Sequence, residues 1–321
     1  MALSEEIVPQ SGTISIMHHL YFLIMAGGEG TRFQPLSTSA RPKQFINIVG
    51  DKSLIRQTFE RLSLESWDVR SDHVYVATNA RYIDLVRQEL PELPVDNVIG
   101  ETSKKNTAPC IAYAAHVIAS RDPEGIMICL PSDHVVLNQA EFLSVLKTAV
   151  EVALRGNKLV TLGIKPTHAS TEYGYIERSD KTVPSTDHLV YSAKRFVEKP
   201  DRTKAEEYIA TGRYYWNSGM FVWGAKVVLN EIARHLPEVD GEIRHLQKAF
   251  DMSEMINFFE NAPSISIDYG VMERSSNVAV IPCEFGWSDI GTWKSLKLLA
   301  DSGVVEIAPE VRAVMEEQVK S

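Results

Sequence analysis

Apolar residues along the chain follow two alternating patterns. Apolar runs at 20–25 and 125–133 predict buried strands, whereas apolar positions at helical spacing in 53–65 and 139–155 predict helices. Further strands are predicted at 73–78, 97–100 and 158–164, and further helices at 80–90 and 107–120. Strands that alternate with helices are typical of a parallel sheet covered on both faces. This part of the chain therefore predicts an α/β domain.

The pattern changes in the second half of the chain. Shorter strands are predicted within 173–200 and at 214–224 and 277–285, with helices at 202–210, 226–235, 241–261 and 291–300. No Pro/Gly/Ser-rich linker and no internal repeat separates the halves. We therefore expect one continuous domain, from residue 17 to residue 300, whose second half contains a mixed sheet. Residues 1–16 are expected to be a leader, with Met17 as an alternative start.

Length, charge and cysteines narrow the class of protein. The 321 residues suffice for a large α/β domain or two smaller ones, and the net charge of −9 argues against a broad nucleic-acid surface. The three cysteines lie among apolar residues without CxxC spacing, which predicts reduced, buried thiols. The longest apolar run is too short to span a membrane, and no Lys or Arg precedes it as in a secretory signal. We expect a cytoplasmic protein without a nucleic-acid or membrane partner.

Residues 23–37, LIMAGGEGTRFQPLS, join a predicted strand to a glycine loop. A dinucleotide fingerprint needs a third glycine three residues after Gly30, where Phe33 stands. A P-loop needs Gly-Lys-Ser/Thr, but here Thr31 and Arg32 follow the glycine. Backbone N–H groups of such a loop can still surround an anion, and the Arg32 guanidinium suits phosphate oxygens. The loop indicates a phosphate site of another kind, with a tight turn and a solvated arginine as the alternative.

One lysine is a candidate for binding phosphate, and two aspartates are candidates for binding a metal ion. Lys43, in RPKQF, adds a second cation eleven residues after Arg32. Asp133 ends a predicted strand, and Asp289 lies in the loop GWSDIGTW. Mg²⁺ prefers one or two carboxylates plus phosphate oxygens, so the two aspartates would form a metal site if the fold brings them together. Turn or capping roles are the alternative.

A third group of side chains suits a sugar phosphate. Glu198 can accept hydrogen bonds from hydroxyls, Lys199 offers a charge to a monophosphate, and Asn217 can donate and accept. Gly174, between two tyrosines, allows close backbone approach. The alternatives are an exposed strand end, a turn asparagine and a β-bulge.

Together the motifs resemble the sugar-1-phosphate nucleotidylyltransferase family over roughly residues 18–300. They occur in the order AGGEGTRFQPLS, PKQF, ETSKKNTAPCIAYAA, LPSDH, YGYIE, FVEKP, WNSGMFVW, SIDYGVMERS and GWSDIGTW. The resemblance implies a nucleotide-diphospho-sugar transferase fold: a mixed, mainly parallel Rossmann-like sheet flanked by helices. It also implies Mg²⁺-assisted transfer of GMP from GTP to mannose 1-phosphate. Another sugar 1-phosphate (glucose or heptose), another nucleotide, or a non-catalytic sugar-nucleotide sensor of this fold remain alternatives.

The resemblance also implies roles for individual residues. The residues that would line GTP are Gly27, Gly28, Gly30 and Thr31. Those that would bind its β and γ phosphates are Arg32 and Lys43. Those that would read the base are Glu101, Asn106 and Thr107, and those that would hold Mg²⁺ are Asp133 and Asp289. Mannose hydroxyls would meet Gly174, Glu198 and Asn217, and the sugar phosphate would meet Lys199.

The chain departs from the family pattern in two ways. Glu29 and Gln34 stand where a small and an aromatic residue are expected, and a carboxylate beside a triphosphate is expected to point away from it. Residues 301–321 are expected to be a short tail without the β-helix or isomerase domain of longer relatives. A homodimer is the expected assembly.

Overall fold

The computed structural model describes residues 18–62, 69–247 and 251–320. The predicted leader, Met17 and parts of two predicted helices, 63–65 and 248–250, lie outside the described residues. The strands are β1 (Leu20–Ala26), β2 (Val74–Asn79), β3 (Val98–Glu101), β4 (Ile126–Pro131), β5 (Val135–Val136), β6 (Leu159–Ile164), β7 (Tyr175–Val183), β8 (Val190–Val197), β9 (Tyr214–Gly224), β10 (Val278–Cys283) and β11 (Trp287–Ser288). The helices are α1 (Leu54–Leu62), α2 (Ile83–Glu89), α3 (Thr107–Arg121), α4 (Gln139–Gly156), α5 (Arg202–Thr211), α6 (Ala225–His235), α7 (Pro237–Arg244), α8 (Met252–Asn261), α9 (Trp293–Asp301) and α10 (Pro309–Lys320).

The described residues form a nine-stranded mixed sheet in the order β3-β2-β1-β4-β9-β6-β10-β8-β7. Its first four strands are parallel, and so are β6 and β10, which confirms the mixed α/β sheet. β9 runs antiparallel between β4 and β6. Because Met25 pairs with Pro131 at the ends of β1 and β4, the loops that follow these strands begin side by side. The antiparallel β9 brings its first half to the same edge, since Cys129 pairs with Phe221.

Strands β1, β2, β4 and β6 are buried on both faces, which explains their continuous apolar runs, whereas much of β7 and β8 is partly or fully exposed. Alternate residues of β1 enter different cores: Phe22 and Ile24 pack with α1 and α4, whereas Leu23 packs with α3 and α6. A third apolar cluster joins Phe33, just after the glycine loop, to Trp293 of α9 at a ring distance of 4.7 Å. The glycine loop is therefore anchored to the end of the chain as well as to the sheet.

Two local predictions need correction. The predicted helix 241–261 is two helices, α7 and α8, because Asp251 accepts hydrogen bonds from the backbone N–H groups of Ser253 and Glu254 and starts a new helix. The short antiparallel pair of β5 and β11 was not predicted, because two-residue strands carry no periodicity. The predicted buried thiols are confirmed, since Cys110, Cys129 and Cys283 are free and buried. Across the described ranges, no helix has both the length and the apolar character needed to cross a bilayer.

Candidate active site

A cleft of about 530 Å³ opens where β1, β4 and β9 meet. The predicted site residues that line it are Gly27, Gly28, Glu101, Asn106, Thr107, Gly174, Glu198, Asn217 and Asp289. The other predicted residues, which are absent from its lining, are Gly30, Thr31, Arg32, Lys43, Asp133 and Lys199. The fold thus brings members of each of the three candidate groups to one cavity.

The glycine loop and the PKQF segment form one unit. Gly30 has a left-handed φ of 61°, and a Cβ there would lie 2.5 Å from the Cβ of Lys43. The buried Gln44 amide donates to the carbonyl oxygens of Ala26 (2.8 Å) and Gly28 (2.9 Å). Gly30 is therefore needed for the packing of the loop against Lys43, a steric role that its sequence position did not predict.

Lys43 is buried, with a side chain 5% exposed, and contacts both candidate metal ligands. Its Nζ donates to Oδ2 of Asp133 (3.1 Å) and to the carbonyl oxygen of Asp289 (2.6 Å). Burial is the largest single influence and would raise the pKa of Asp133. The charge and hydrogen bond of Lys43, together with His134 and Arg32, outweigh it, so the pKa lies below its usual range. Lys43 therefore holds the two aspartate loops together in this structure.

Asp289 is oriented by a tyrosine that sequence reasoning missed. The hydroxyl of Tyr173 donates to Oδ1 of Asp289 (2.9 Å), and the Gly291 N–H donates to the same oxygen (3.0 Å). The Tyr173 ring packs edge-on against Trp216 and Trp287 at 4.9 and 5.3 Å. Burial, and then the neighbouring Asp289 carboxylate, raise the pKa of Tyr173, so its hydroxyl keeps the proton that it donates. Its place before Gly174 in YGYIE was the available signal.

Glu101, Asn106 and Thr107 line the cleft together at the β3–α3 connection. Burial raises the pKa of Glu101 to about 7, opposed only by a hydrogen bond with Cys110. Asn106, with φ 68°, places its Oδ1 2.9 Å from the Thr107 N–H at the start of α3. The Thr107 hydroxyl accepts from the Ile267 N–H (2.9 Å), which ties a later segment to this wall.

Glu198, Asn217 and Gly174 meet at another part of the cleft. Oε1 of Glu198 accepts from the ammonium of Lys199, whereas Oε2 is buried and has no hydrogen-bond partner among the described residues. A Cβ on Gly174 would collide with that Oε2. The Asn217 amide donates from Nδ2 to Oδ1 of Asp268 (2.8 Å). The structure thus adds Asp268, which sequence reasoning did not single out although its motif was recognised.

Two charged side chains of the glycine loop, Glu29 and Arg32, differ in their contacts. Glu29 accepts from Arg81 Nη2 at 2.9 Å, as expected for a carboxylate that points away from a phosphate site. The Arg32 side chain is 62% exposed and approaches Glu172 only at 3.5 Å. Arg32 is therefore accessible to a ligand, whereas Lys43 is engaged.

Comparison with known proteins identifies relatives over most of the chain. Residues 21–301 match the family model described as nucleotidyl transferase. The chain is 39% identical over 283 residues to mannose-1-phosphate guanylyltransferase RfbM of Salmonella typhimurium, covering 85% of this chain and 57% of that protein. It is 37% identical over 288 residues to mannose-1-phosphate guanylyltransferase of Escherichia coli K12, covering 86% and 59%. The chain thus spans less than two thirds of the length of these relatives.

A solved structure shares the fold. The crystal structure described as mannose-1-phosphate geranyltransferase from Thermus thermophilus superposes with a TM-score of 0.78 at 31% identity. The match covers 88% of this chain and 79% of the other.

Proposed function

The chain belongs to the nucleotidyl transferase family, and we propose that it transfers GMP from GTP to α-D-mannose 1-phosphate, giving GDP-mannose and pyrophosphate. One observation carries the proposal: a single cleft is lined by the glycine loop, by Glu101 and Asp289, and by the Glu198–Asn217 pair. A nucleoside triphosphate and a sugar phosphate would lie side by side there. The names of the relatives support the choice of GTP and mannose 1-phosphate.

The donor chemistry of the site fits a divalent metal, which nucleotidyl transferases generally use. Asp133 and Asp289 would hold Mg²⁺, since both offer carboxylate oxygens and Lys43 contacts both residues. The described residues contain no cluster of three or more His, Cys, Asp or Glu side chains suited to a metal, so phosphate oxygens would supply further ligands. When bound, Mg²⁺ would neutralise phosphate charge at the reacting centre.

The side chains of the site would neutralise the charge of the two substrates and orient them for reaction. An oxygen of the sugar phosphate attacks the α-phosphorus in line, and pyrophosphate leaves. A phosphate monoester has a second pKa near ~6, so its oxygen needs no general base at neutral pH. Arg32, Lys43 and Lys199 would offset the repulsion between a dianion and a triphosphate. Binding both substrates in one cleft supplies the orientation.

Base choice would depend on Glu101. A buried carboxylate offers acceptors, and guanine presents the N2 amino group as a donor that uracil and thymine lack. Asn106 and Thr107 line the same wall and would contribute to reading the base.

We also infer a cytoplasmic location and a homodimer as the assembly to test by light scattering.

The decisive experiment measures pyrophosphate release in Mg²⁺ with each of four nucleoside triphosphates and with mannose, glucose or heptose 1-phosphate. Release confined to GTP with mannose 1-phosphate is expected, and chelation by EDTA should abolish it. Release with another pair would overturn the base or sugar assignment and leave the reaction class. No release from folded protein would favour a sensor. Asp180→Ala, at a 73% exposed side chain on β7, is the control for handling and stability.

A further inference from the structure

The segment from Ser264 to Asp268 forms a wall that joins two parts of the cleft. Ser264 and Asp268 line the cavity, and the Ile267 N–H donates to the Thr107 hydroxyl at 2.9 Å. Asp268 begins a π-helical turn, Asp268–Met272, a rare conformation that is frequent at functional sites. The segment therefore places a carboxylate opposite β9.

Asp268 fixes the orientation of the Asn217 amide. Nδ2 of Asn217 donates to Oδ1 of Asp268 (2.8 Å), and Oδ1 of Asn217 accepts from the Gly219 N–H (3.1 Å). An amide whose two ends are held by an acceptor and a donor presents one remaining hydrogen and one remaining lone pair. Without the Asp268 acceptor, the amide would lose the bond that holds its nitrogen in place.

A buried carboxylate oxygen without a hydrogen-bond partner lies beside this amide. Oε2 of Glu198 is buried without a partner among the described residues, whereas the partly exposed carboxylate of Asp268 lines the cavity with its Oδ1 bonded to Asn217. A buried acceptor without a donor is unfavourable, and hydroxyl groups would satisfy it. Burial, and then the charge of Glu198, raise the pKa of Asp268 to about 6, because two like charges in one wall disfavour ionisation. The two carboxylates outnumber the one ammonium of Lys199 at this wall, so the hydroxyls of an uncharged sugar ring fit beside Asp268 better than a phosphate does.

We propose that Asp268 is a specificity-determining residue for the sugar ring: Oδ1 orients Asn217, and the remaining oxygen accepts a hydrogen bond from a ring hydroxyl. The inference rests on the proposed function, because it names what recognises the sugar in that site. A sugar whose hydroxyl points to the other face would leave this oxygen unpaired. Sites built to bind a hydroxyl reject analogues that fail to supply it.

The test compares Asp268→Ala with Asp268→Asn, with Asp180→Ala as a surface control. Hydrogen bonds to charged groups are worth enough that Asp268→Ala should raise the KM for mannose 1-phosphate roughly 10- to 100-fold. The ratio of kcat/KM for mannose over glucose 1-phosphate should fall, while the KM for GTP changes by less than about twofold. Asp268→Asn keeps the Oδ1 acceptor for Asn217 and should show a smaller loss.

Several outcomes would overturn the inference. An unchanged KM for sugar phosphate, or equal changes for GTP and sugar, would reduce Asp268 to a structural residue. If Asp268→Ala fails to fold, Asp268→Asn decides, and wild-type sugar selectivity in that variant contradicts the proposal. Calorimetric binding of mannose 1-phosphate separates the two proposals. Wild-type binding weakened by Asp268→Asn without any turnover would reject the transferase and support the role of Asp268; no wild-type binding would overturn both.

Discussion

The ammonium group of Lys43 lies 3.1 Å from a carboxylate oxygen of Asp133, in the position that a divalent cation bound to that aspartate would contest. Lys43 is thus an internal counter-cation for the candidate metal site. We expect metal binding at Asp133 to be coupled to phosphate binding by Lys43. The Lys43 ammonium that bonds Asp133 would have to leave it, at least in part, to bind a triphosphate.

Lys43→Met tests this coupling. We expect turnover to fall by about 100-fold or more, as for other lost transition-state charges. Mn²⁺ binding to the nucleotide-free protein should instead tighten, because a competing cation is removed. Titration with Mn²⁺, followed by electron paramagnetic resonance, measures the affinity for the metal. The control is Lys52→Met, which removes a lysine that forms a surface ion pair with Glu60. Weaker Mn²⁺ binding in Lys43→Met would refute the competition.

Glu101 predicts a pH-dependent stability. Its pKa is raised to about 7 by burial, so the folded state binds a proton more tightly than the unfolded state. The free energy of unfolding should therefore fall as the pH rises from about 4.5, the unfolded value, to about 7. The raised pKa corresponds to a loss of roughly 3 kcal/mol in the free energy of unfolding at about pH 8, relative to a carboxyl with the ordinary pKa.

Glu101→Gln should remove that pH dependence. The variant should be more stable than wild type at about pH 8 and similar at about pH 4.5, as measured by urea denaturation. Its KM for GTP should rise, because the amide offers one acceptor where the carboxylate offers two. Equal losses of stability at both pH values would show that the carboxylate is not strained by burial.

Gly174 predicts a steric coupling to Glu198. A Cβ at Gly174 would collide with Oε2 of Glu198 and lie 3.3 Å from the Cβ of Asn217. Gly174→Ala should raise the KM for sugar phosphate about tenfold, equivalent to about 1.4 kcal/mol, with a smaller effect on GTP. Gly241→Ala, in α7 with no atom near the added carbon, is the matched control and should be neutral or slightly stabilising.

A double variant checks the cause. If the collision with Glu198 is responsible, Gly174→Ala should add little further loss in a Glu198→Ala background. Additive losses would instead indicate that the alanine disturbs Asn217 or the strand.

Arg81 predicts an indirect effect on GTP. It neutralises Glu29, at 2.9 Å, beside the glycine loop. Arg81→Ala should release the carboxylate and raise the KM for GTP only about two- to fivefold, since both side chains are nearly half exposed and solvent screens the pair. Adding Glu29→Ala should restore the wild-type KM. Failure of this restoration would mean that Arg81 itself binds the nucleotide.

The local patterns predicted the strand ends well, and the rule that parallel strands align their carboxyl ends explains why Gly27 and Glu101 share one edge. The position of Asn217 could not be read in this way, because the antiparallel insertion of β9 between β4 and β6 leaves no local periodic signal. The contacts of Lys43 with Asp133 and Asp289 join residues 90 and 246 positions apart. Such pairings depend on the tertiary fold, so sequence could name the residues but not their partners.

The contact of Gly30 with Lys43, and the two hydrogen bonds of Gln44 to the strand end, make residues 26–30 and 42–44 a single cassette. A glycine loop transplanted alone from another nucleotidyl transferase would lack the segment 42–44 against which it packs. Swapping both segments together should preserve folding, whereas exchanging either alone should produce a misfit at the proposed phosphate site. Redesign of nucleotide preference in this chain is thus a two-segment problem.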